Sequence, residues 1–324
     1  MVTSSFGQQR SRTVTHVVAP GSDAGIRPAS SAPKTNRMPR QWRGWGFVGP
    51  FMAVFTLVFI APLAYSLYIS MFRSQLVGGT EFVGFENYAR AFQDPQFWNG
   101  VGRAWVCLVV RVRIMLGVAV LVALAVGSGW VWGKDFFRIG VFMPYAVPAV
   151  VAALMWGFMY GPRFGLVGYF NDFFGWNIPN PLGPEWILLA IGNIVTWSFV
   201  GYNMLIFYSS LRTIPVSLYE AAELDGARQH HVIRHIKMPA ISGSIAVALI
   251  FSILGSFQLF NEPSILQKLA PNAITTYFTP NLYAYNLSFA GQQYNYAAAV
   301  AIIMGIFTMV IAYVVQLRGM RKDI

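Results

Sequence analysis

The sequence has little charge and almost no cysteine. Only 11% of its 324 residues are Asp, Glu, Lys or Arg, and 56% are hydrophobic, whereas roughly a quarter of an ordinary soluble domain is charged. A surface of this composition cannot face water everywhere, which excludes an ordinary soluble globular fold. The single cysteine, Cys107, excludes an internal disulfide and any multi-cysteine metal site.

Several patterns that carry enzyme chemistry are also missing. The Gly133-Lys134 pair is followed by Asp135, where a phosphate-binding loop requires Ser or Thr. Neither an H-E-x-x-H nor a G-x-S-x-G pattern occurs. His231 and His235 are four residues apart, as two metal ligands on one helix face would be, but no third ligand has suitable spacing. We therefore expect no ATP hydrolysis, no metal site and no other catalysis in this chain.

The net charge of +11 is compatible with two kinds of partner, nucleic acid and an anionic membrane surface. The basic residues avoid the apolar runs and collect in a few loops, and no basic stripe alternates with aromatic residues that could stack on bases. This distribution argues against nucleic-acid binding and favours contact with membrane lipid.

What the sequence has in place of charge is long apolar runs. A helix rises about 1.5 Å per residue, so roughly 20 residues cross a hydrocarbon core of about 30 Å. Lipid offers no partner to free backbone groups, so such runs must be helical. The runs without charge are residues 47–71, 114–132, 139–160, 186–211, 240–261 and 296–317. They predict an all-α integral membrane protein with six transmembrane helices.

The distribution of Lys and Arg predicts the orientation of these six spans. Sixteen Lys and Arg residues fall in the N-terminal tail, the turn after the second run, the loop after the fourth run and the C-terminal tail. Five fall in the loops on the opposite side. Since cytoplasmic loops carry the excess of positive charge, both termini are expected in the cytoplasm.

Composition also suggests a division of the chain. Residues 1–44 are basic and lack hydrophobic periodicity, so we expect a disordered cytoplasmic tail. This stretch is too long and polar to resemble a signal peptide. The six-span domain then occupies residues 45–317, and residues 318–324 form a short cytoplasmic tail.

Arg111 and Arg113 interrupt the approach to the second run and leave two interpretations open. In the first, the span begins at Ile114 and both side chains extend to the outer membrane interface. In the second, one arginine faces a water-filled path and contacts the transported molecule. Because residues two apart on a helix point to different faces, the two side chains need not share a role.

The most charged stretch in the middle of the chain lies between the fourth and fifth runs, in residues 213–239, which we call the elbow. Ser217 followed by Glu220 three residues later resembles a capping box and predicts a helix start. Gly226 suits a helix end or sharp turn, and Pro239 closes a second short helix before the fifth span. The elbow is thus predicted to be a helix, a glycine turn and a helix outside the bilayer, as a docking surface would be.

The elbow also contains the pattern E-A-A, three residues, G, nine residues and I-x-L-P, with methionine in place of the leucine. The residues that match it are Glu220, Ala221, Ala222, Gly226, Ile236, Met238 and Pro239. This resembles the coupling-loop signature of the membrane subunits of bacterial ABC importers. Residues 82–100 and 136–170 are similar to the carbohydrate permeases of the maltose and glycerol-3-phosphate type. A glycine-glycine-proline turn common after the fifth span in such permeases is absent here.

The resemblance implies the type I ABC importer permease fold in a bacterial cytoplasmic membrane. It implies a second, similar permease as the other half of the pathway, two cytoplasmic ATPase subunits that hold ATP and Mg²⁺, and an extracytoplasmic solute-binding protein. In such an assembly the elbow transmits the motion of the ATPase. The chain itself would bind no cofactor and catalyse no reaction.

Polar residues in or beside the later spans are candidates for contact with the transported molecule, and for each the alternative is hydrogen bonding between helices. Asn203 and Gln258 are the leading pair among Asn193, Tyr202, Asn203, Gln258, Asn261, Glu262, Tyr283 and Asn286. Few fixed charges in this set favour a neutral sugar, such as an oligosaccharide or glycoside, over glycerol-3-phosphate. The other alternative is an ion-coupled secondary carrier, for which interrupted spans and a buried ionisable residue would be expected.

Overall fold

The computed structural model describes residues 40–75, 78–128 and 133–320, with side chains from 44 to 317. Two units divide the chain between Val54 and Phe55, and the packing described below lies within the second unit. The predicted N-terminal tail mostly lies outside the described residues, but helix α1 already begins at Arg40, so its last residues are helical. The last helix likewise extends to Met320, into the predicted C-terminal tail.

Helices make up most of the described chain. The first half contains α1 (Arg40–Phe55), a π-helical segment (Thr56–Ile60), α2 (Ala61–Ser70), α3 (Glu86–Gln93), α4 (Pro95–Gly127), α5 (Lys134–Phe142), a 3-10 segment (Met143–Ala146), α6 (Ala149–Met159) and α7 (Leu166–Phe174). The second half contains α8 (Ile187–Arg212), α9 (Val216–Leu224), α10 (Gln229–Val232), a π-helical segment (Ile233–Lys237), α11 (Met238–Ala240), α12 (Ser242–Phe257), α13 (Asn261–Leu269), α14 (Pro280–Phe289) and α15 (Tyr294–Met320).

The fold is not purely helical, because a hairpin follows α2. Strands β1 (Phe72–Gln75) and β2 (Gly79–Phe82) pair in antiparallel register. Phe72 lies opposite Phe82, and their ring centroids are 5.3 Å apart in an edge-to-face arrangement. The all-α prediction is therefore wrong at this hairpin, since four-residue strands are too short to leave a clear pattern of alternating hydrophobic residues.

Among the described residues, four helices are long and apolar enough to cross a membrane, and two bent helix pairs raise the total to as many as six. The four are Gly44–Ser70, Pro95–Gly127, Ile187–Arg212 and Tyr294–Leu317, and the bent pairs are Lys134–Ala146 with Ala149–Met159 and Gln229–Ala240 with Ser242–Phe257. Each predicted run thus corresponds to one candidate span or one bent pair. The end predicted for the second run, Trp132, lies outside the described residues.

The third run is broken where prolines interrupt it. The axes of its two helices differ by 98°. Val147 at the break has an extended backbone, with φ −76° and ψ 125°. Pro148 explains this conformation, because the proline ring excludes the helical region for the residue before it and removes one backbone N–H. The apolar run therefore does not form the straight helix that its length predicts.

The fifth run is also bent, by 60°, between α11 and α12. Helical structure continues through Pro239 to Ala240, so Pro239 does not close the helix as predicted. Proline is tolerated there because it occupies the first turn of α11, where its missing N–H removes no helical hydrogen bond. The bend follows at Ile241, which is fully buried.

Helix α4 is the centre of the bundle and contacts α8, α12 and α14. Its buried face includes several small residues among larger ones, with Ala104, Ala119 and Ala123 each at most 1% exposed. Small side chains allow neighbouring helices to approach closely, which is the main source of helix association within a membrane. Larger buried residues of α8, such as Met204 and Phe207, fill the space beside them.

Candidate functional site

The elbow forms the helix, turn and helix that the sequence predicts. Gly226 follows α9 with φ +69°, a left-handed conformation that favours glycine. Its N–H donates to the carbonyl of Glu223 at 3.0 Å, and the N–H of Ala227 donates to the carbonyl of Ala222 at 2.9 Å. This pair of bonds is a Schellman motif, so the turn satisfies the last carbonyls of α9 and fixes the direction of the chain.

The start of the elbow differs from the prediction. Helix α9 begins at Val216, one residue before Ser217, and Pro215 occupies the N-cap without any side-chain hydrogen bond. The predicted capping box between Ser217 and Glu220 is therefore wrong. Pro215 explains the start, because its φ of −58° is already close to the helical value while its ψ of 138° is not.

Helix α9 presents an apolar stripe to its surroundings. Leu224 is 89% exposed and Leu218 is 48% exposed, and Ala221 lies exposed between them at helical spacing. On the other side, Tyr219 and Ala222 are half-buried. Tyr219 packs against the hydrophobic core that contains Met204 and Phe207, which we call the main core. An exposed apolar stripe on a helix that is firmly packed behind is the pattern of a surface that another protein covers.

The other signature residues of the elbow divide between the same two sides. Ile236 and Met238 are half-buried and pack against the main core. Glu220, Gly226 and Pro239 are exposed. Within the described part of the chain, the carboxylate of Glu220 has neither a hydrogen bond nor an ion pair. The apolar residues of the signature thus attach the elbow to the bundle, while its acidic residue remains available for contact with another molecule.

A groove lies between α12 and α15. Its volume is 590 Å³, and its lining combines amides, a hydroxyl and aromatic rings with small residues but contains no charged residue. Gln258 is the one predicted candidate in it. Asn281, Thr308, Tyr313 and Gln316 also line it and were not predicted. Thr308 and Gln316 had a detectable signal, because they are polar residues eight apart, on one face of an otherwise apolar helix.

The two leading candidates lie in different environments. Gln258 is exposed in the groove, whereas Asn203 is 4% exposed in α8, where it faces α4. The Asn203 amide donates to the carbonyl of Phe199 at 2.9 Å and contacts the sulfur of Met115 at 3.8 Å. The structure thus brings Gln258, and not Asn203, to the groove, and the amide of Asn203 is used in helix packing.

Two further candidates in or beside α8 also contact neighbouring helices. The Asn193 amide donates to the hydroxyl of Tyr160 at 2.8 Å. The ring of Tyr202 stacks on Tyr145, with centroids 4.8 Å apart and planes inclined by 17°. Both contacts join α8 to the bent helix pair of the third run, Lys134–Ala146 with Ala149–Met159, which we call the bent third pair. They agree with the alternative interpretation of helix-to-helix bonding.

The candidates after the fifth span have separate surroundings. Asn261 is exposed at the start of α13, and its neighbour Glu262 is 8% exposed. Asn286 donates to the carbonyl of Thr276 at 2.9 Å and so ties α14 to the loop before it. Of these three, only Asn261 has a side chain open to solvent or a partner.

Tyr283 belongs to a polar cluster around Asp94, which sequence reasoning did not identify. One carboxylate oxygen of Asp94 accepts from the hydroxyls of Tyr283 at 2.6 Å and Tyr296 at 2.8 Å. The other accepts from the N–H of Gln96 at 2.9 Å and caps α4. Asp94 thus connects the start of α4 with α14 and α15.

Charge explains how this cluster is held together. Burial alone would raise the pKa of the Asp94 carboxyl, but the hydrogen bonds from the two tyrosines and from backbone N–H groups outweigh it, so the pKa lies below its ordinary value of 3.8. Burial and the adjacent carboxylate raise the pKa of the Tyr283 hydroxyl. The carboxylate is therefore ionised and the phenol protonated over the physiological range, as the hydrogen bond requires.

Replacing Asp94 with alanine is expected to lower the free energy of unfolding by about 3 kcal/mol, because a helix cap and two hydrogen bonds to a charged group are lost together. Tyr283→Phe should cost about 1–2 kcal/mol. Thermal unfolding of the purified chain in detergent measures both changes. Tyr285→Phe, an exposed tyrosine on the same helix, serves as the control and should change nothing.

The same cluster predicts a pH dependence. A lowered carboxyl pKa stabilises the folded chain fully above the ordinary value of 3.8 and loses that contribution as the pH falls through the lowered value. The difference in stability between the wild-type chain and Asp94→Ala should therefore be constant over neutral pH and shrink only below about pH 4. A difference that shrinks near pH 6 would contradict this assignment.

The structure corrects the first interpretation of Arg111 and Arg113. Helix α4 begins at Pro95, so both arginines lie inside a helix that starts well before Ile114. Arg113 is exposed, but Arg111 is 6% exposed and donates from its guanidinium to α12, to the carbonyl of Ser252 at 3.3 Å and the hydroxyl of Ser256 at 2.5 Å. Extension to the outer interface is therefore wrong for Arg111. Arg111 also lines a cavity of 170 Å³ together with residues of α8, and the second interpretation, contact with the transported molecule along a water-filled path, stays a prediction.

The histidines of the elbow are exposed at the surface. The ring centroids of His231 and His235 are 6.1 Å apart, and a ring nitrogen of His235 lies 3.1 Å from the carbonyl of His231. Among the described residues, no group of three or more His, Cys, Asp or Glu side chains could hold a metal ion.

Comparison with known proteins extends these observations. Residues 115–322 match the family described as "Binding-protein-dependent transport system inner membrane component". The chain is 30% identical over 292 residues to the diacetylchitobiose uptake system permease protein NgcF of Streptomyces coelicolor, covering 84% of this chain and 80% of the relative. It is 29% identical over 303 residues to the sulfoquinovosyl glycerol transport system permease protein SmoG of Agrobacterium fabrum, covering 86% of this chain and 93% of the relative.

The fold has a solved counterpart. A chain in the crystal structure of a bacterial ABC transporter involved in the import of the acidic polysaccharide alginate superposes with a TM-score of 0.76 at 21% identity, covering 87% of this chain and 96% of that chain. The helices described above thus adopt the type I permease fold of ABC importers. On the match of its sequence over residues 115–322, this chain belongs to the family of binding-protein-dependent transport system inner membrane components.

Proposed function

We propose that this chain is the membrane-spanning permease subunit of an ATP-driven importer and forms one half of the pathway for a carbohydrate. Family membership supports the importer. Two relatives named for the uptake of diacetylchitobiose and of sulfoquinovosyl glycerol support a saccharide or glycoside as the transported molecule. In this proposal the chain hydrolyses no ATP, and separate ATPase subunits bind ATP and Mg²⁺.

The observation that carries the proposal is the construction of the elbow. One side of α9 carries exposed apolar residues, and its opposite side packs against the main core. The Schellman turn at Gly226 fixes the direction in which the chain leaves α9. An element that transmits force must be stiff and must offer a contact surface, and the elbow has both properties. We infer that the ATPase covers Leu218, Ala221 and Leu224, and that Glu220 contacts a basic group on it.

The proposed topology has six spans with both termini in the cytoplasm. Each bent helix pair then counts as one span, and the elbow lies on the cytoplasmic side between the fourth and fifth. The excess of Lys and Arg on that side, sixteen against five, supports this orientation. The assembly would lie in the bacterial cytoplasmic membrane, with a solute-binding protein on its outer side.

The groove between α12 and α15 is the proposed wall of the pathway. Sugars present hydroxyls and apolar ring faces, which match amides, hydroxyls and aromatic rings. Gln258, Asn281 and Thr308 supply the polar groups, and Phe257 and Tyr313 supply the rings. The absence of charge among the lining residues favours a neutral molecule. A second permease subunit facing this groove would enclose it.

Two features of the structure favour a second candidate, the ion-coupled carrier. Two of the candidate spans are bent, and both Arg111 and Glu262 are buried ionisable residues. Such features are typical of secondary transporters. Family membership and the elbow outweigh them, since a carrier has no need of a rigid cytoplasmic docking surface.

Purification and reconstitution test the proposal. A tagged chain purified from native membranes should retain an ATPase and a second permease, and proteoliposomes holding this complex should import an oligosaccharide or glycoside only with ATP and the binding protein. ATPase stimulation by glycerol-3-phosphate, with none by any sugar, would contradict the carbohydrate assignment. Uptake without an associated ATPase, driven by an ion gradient, would establish the carrier instead.

A further inference from the structure

Arg111 lies at the centre of the longest helix in the described chain. Sixteen residues separate it from each end of α4, which at 1.5 Å per residue is about 24 Å. Its side chain is 6% exposed. A charged side chain buried among helices is unfavourable unless it is paired or hydrogen-bonded, and such residues in membrane proteins tend to have a specific function.

The guanidinium holds the last two turns of α12. One terminal nitrogen donates both to the carbonyl of Ser252 and to the hydroxyl of Ser256. The Ser256 hydroxyl in turn donates to the Ser252 carbonyl at 2.8 Å, which leaves its oxygen free to accept from Arg111. The Ser252 hydroxyl is used in the same way, donating to the carbonyl of Ala248 at 2.7 Å. The two bonds from Arg111 fix both the rotation of α12 about its axis and its position along that axis relative to α4.

Glu262, five residues after the end of α12, is a second buried ionisable residue, and its side chain is 8% exposed. No ion pair within 4 Å joins it to Arg111 among the described residues. The Nε atom of Arg111 is buried without an acceptor in the described chain. A cavity of 170 Å³ that Arg111 lines also contains the polar side chains of Asn193 and Thr196.

These contacts flank the turn that carries the candidate pathway residues. Ser256, which binds Arg111, lies two residues before Gln258, and Glu262 directly follows Asn261. Gln258 lines the groove between α12 and α15, while Arg111 reaches α12 from the side of α4. Any rotation or sliding of the end of α12 would move Gln258 in the groove.

We propose that Arg111 is a positioning residue of the transport pathway, which fixes the end of α12 so that Gln258 faces the groove. The inference rests on the proposed function, because it assigns the groove to the pathway. Arg111 does not contact the transported molecule in this proposal and acts only through α12.

Uptake by reconstituted variants tests the role of Arg111. Arg111→Gln should lower the rate of ATP-driven uptake about tenfold, since it removes both guanidinium hydrogen bonds that join α4 to α12. Arg113→Gln, two residues away on the same helix and exposed, is the matched control and should stay within about twofold of wild type. Equal losses in the two variants, or wild-type uptake in Arg111→Gln, would overturn the proposal.

A double-mutant cycle separates positioning from a general structural role. If Arg111 acts through Gln258, then Arg111→Gln should cause no further loss of uptake in a Gln258→Ala background. Losses that multiply would show that Arg111 acts independently of Gln258 and would overturn the proposal.

Two measurements keep the test interpretable. Should Arg111→Gln prevent assembly, Ser256→Ala removes one of the same bonds while keeping the arginine, and its cycle with Gln258→Ala carries the same expectation. Wild-type proteoliposomes are measured in parallel. If they show no ATP-driven uptake of any sugar, the proposed function fails; if they do and the Arg111 cycle is additive, only the positioning role fails.

Discussion

Gly226→Pro is expected to abolish ATP-driven uptake while the chain still inserts into the membrane. Gly226 has φ +69°, and the proline ring holds φ near −65°. The substitution also removes the N–H that donates to the carbonyl of Glu223. Both halves of the Schellman motif are therefore lost, and the second helix of the elbow must leave α9 in another direction.

A graded series separates the turn from other effects at this position. Asparagine tolerates the left-handed conformation, so Gly226→Asn should keep most of the uptake. Alanine is strained there by about 1–2 kcal/mol, so Gly226→Ala should lie between asparagine and proline. Uptake per inserted molecule, with the amount in the membrane measured by immunoblot, gives the order of the series. ATPase retained on purification shows whether docking fails as well.

Gly243→Ala is the matched control, because Gly243 lies in the adjoining α12 and a Cβ there meets nothing within 4 Å. It should transport at the wild-type rate. Normal uptake by Gly226→Pro would mean that the elbow does not transmit the ATPase motion. Loss of the Gly226→Pro chain from the membrane would mean instead that the elbow is needed for folding.

The elbow was predictable because its signals are local. A glycine after a helix-forming stretch, followed by a second short helix, depends on neighbouring residues alone, and the structure places the left-handed turn at Gly226. The predicted capping box failed for an equally local reason, since Pro215 starts the helix one residue earlier than Ser217 does. The break at Pro148 could also have been predicted, but a count of apolar residues gives proline no weight.

The groove and the role of Arg111 were not predictable from local sequence. Arg111 and Ser256 are 145 residues apart in the chain, and their contact exists only because α4 and α12 pack together. The groove likewise forms only where residues of α12, α14 and α15 meet, and no local pattern in any one of these helices indicates that Gln258 and Asn281 line the same groove. Sequence indicates which residues are unusual in a membrane helix, and only helix packing decides what they contact.

Gly201→Ala is expected to be among the most destabilising single-methyl additions in the bundle. A Cβ at Gly201 in α8 would overlap the backbone carbonyl of Val141 and lie 2.7 Å from the Cα of Phe142. These are backbone atoms at the end of α5, which no change of side-chain rotamer can move. Helix α8 must therefore separate from the bent third pair, where Tyr202 stacks on Tyr145.

The expected loss is about 3 kcal/mol or more in the free energy of unfolding, at or above the upper end for overpacked cores. Gly192→Ala is a matched control in the same helix, since its Cβ would lie 3.9 Å from the Cβ of Arg111, an ordinary van der Waals distance. Alanine favours helix over glycine by up to about 1 kcal/mol, so Gly192→Ala should be neutral or slightly stabilising.

Thermal unfolding of the detergent-purified variants measures this contrast directly. The close approach of α8 to the bent third pair predicts that Gly201→Ala unfolds at a clearly lower temperature than Gly192→Ala, although each adds one methyl group to one helix. Equal unfolding temperatures would show that α8 can move away from α5 without cost. The bend at Pro148 would then be a flexible hinge and not a fixed part of the packed bundle.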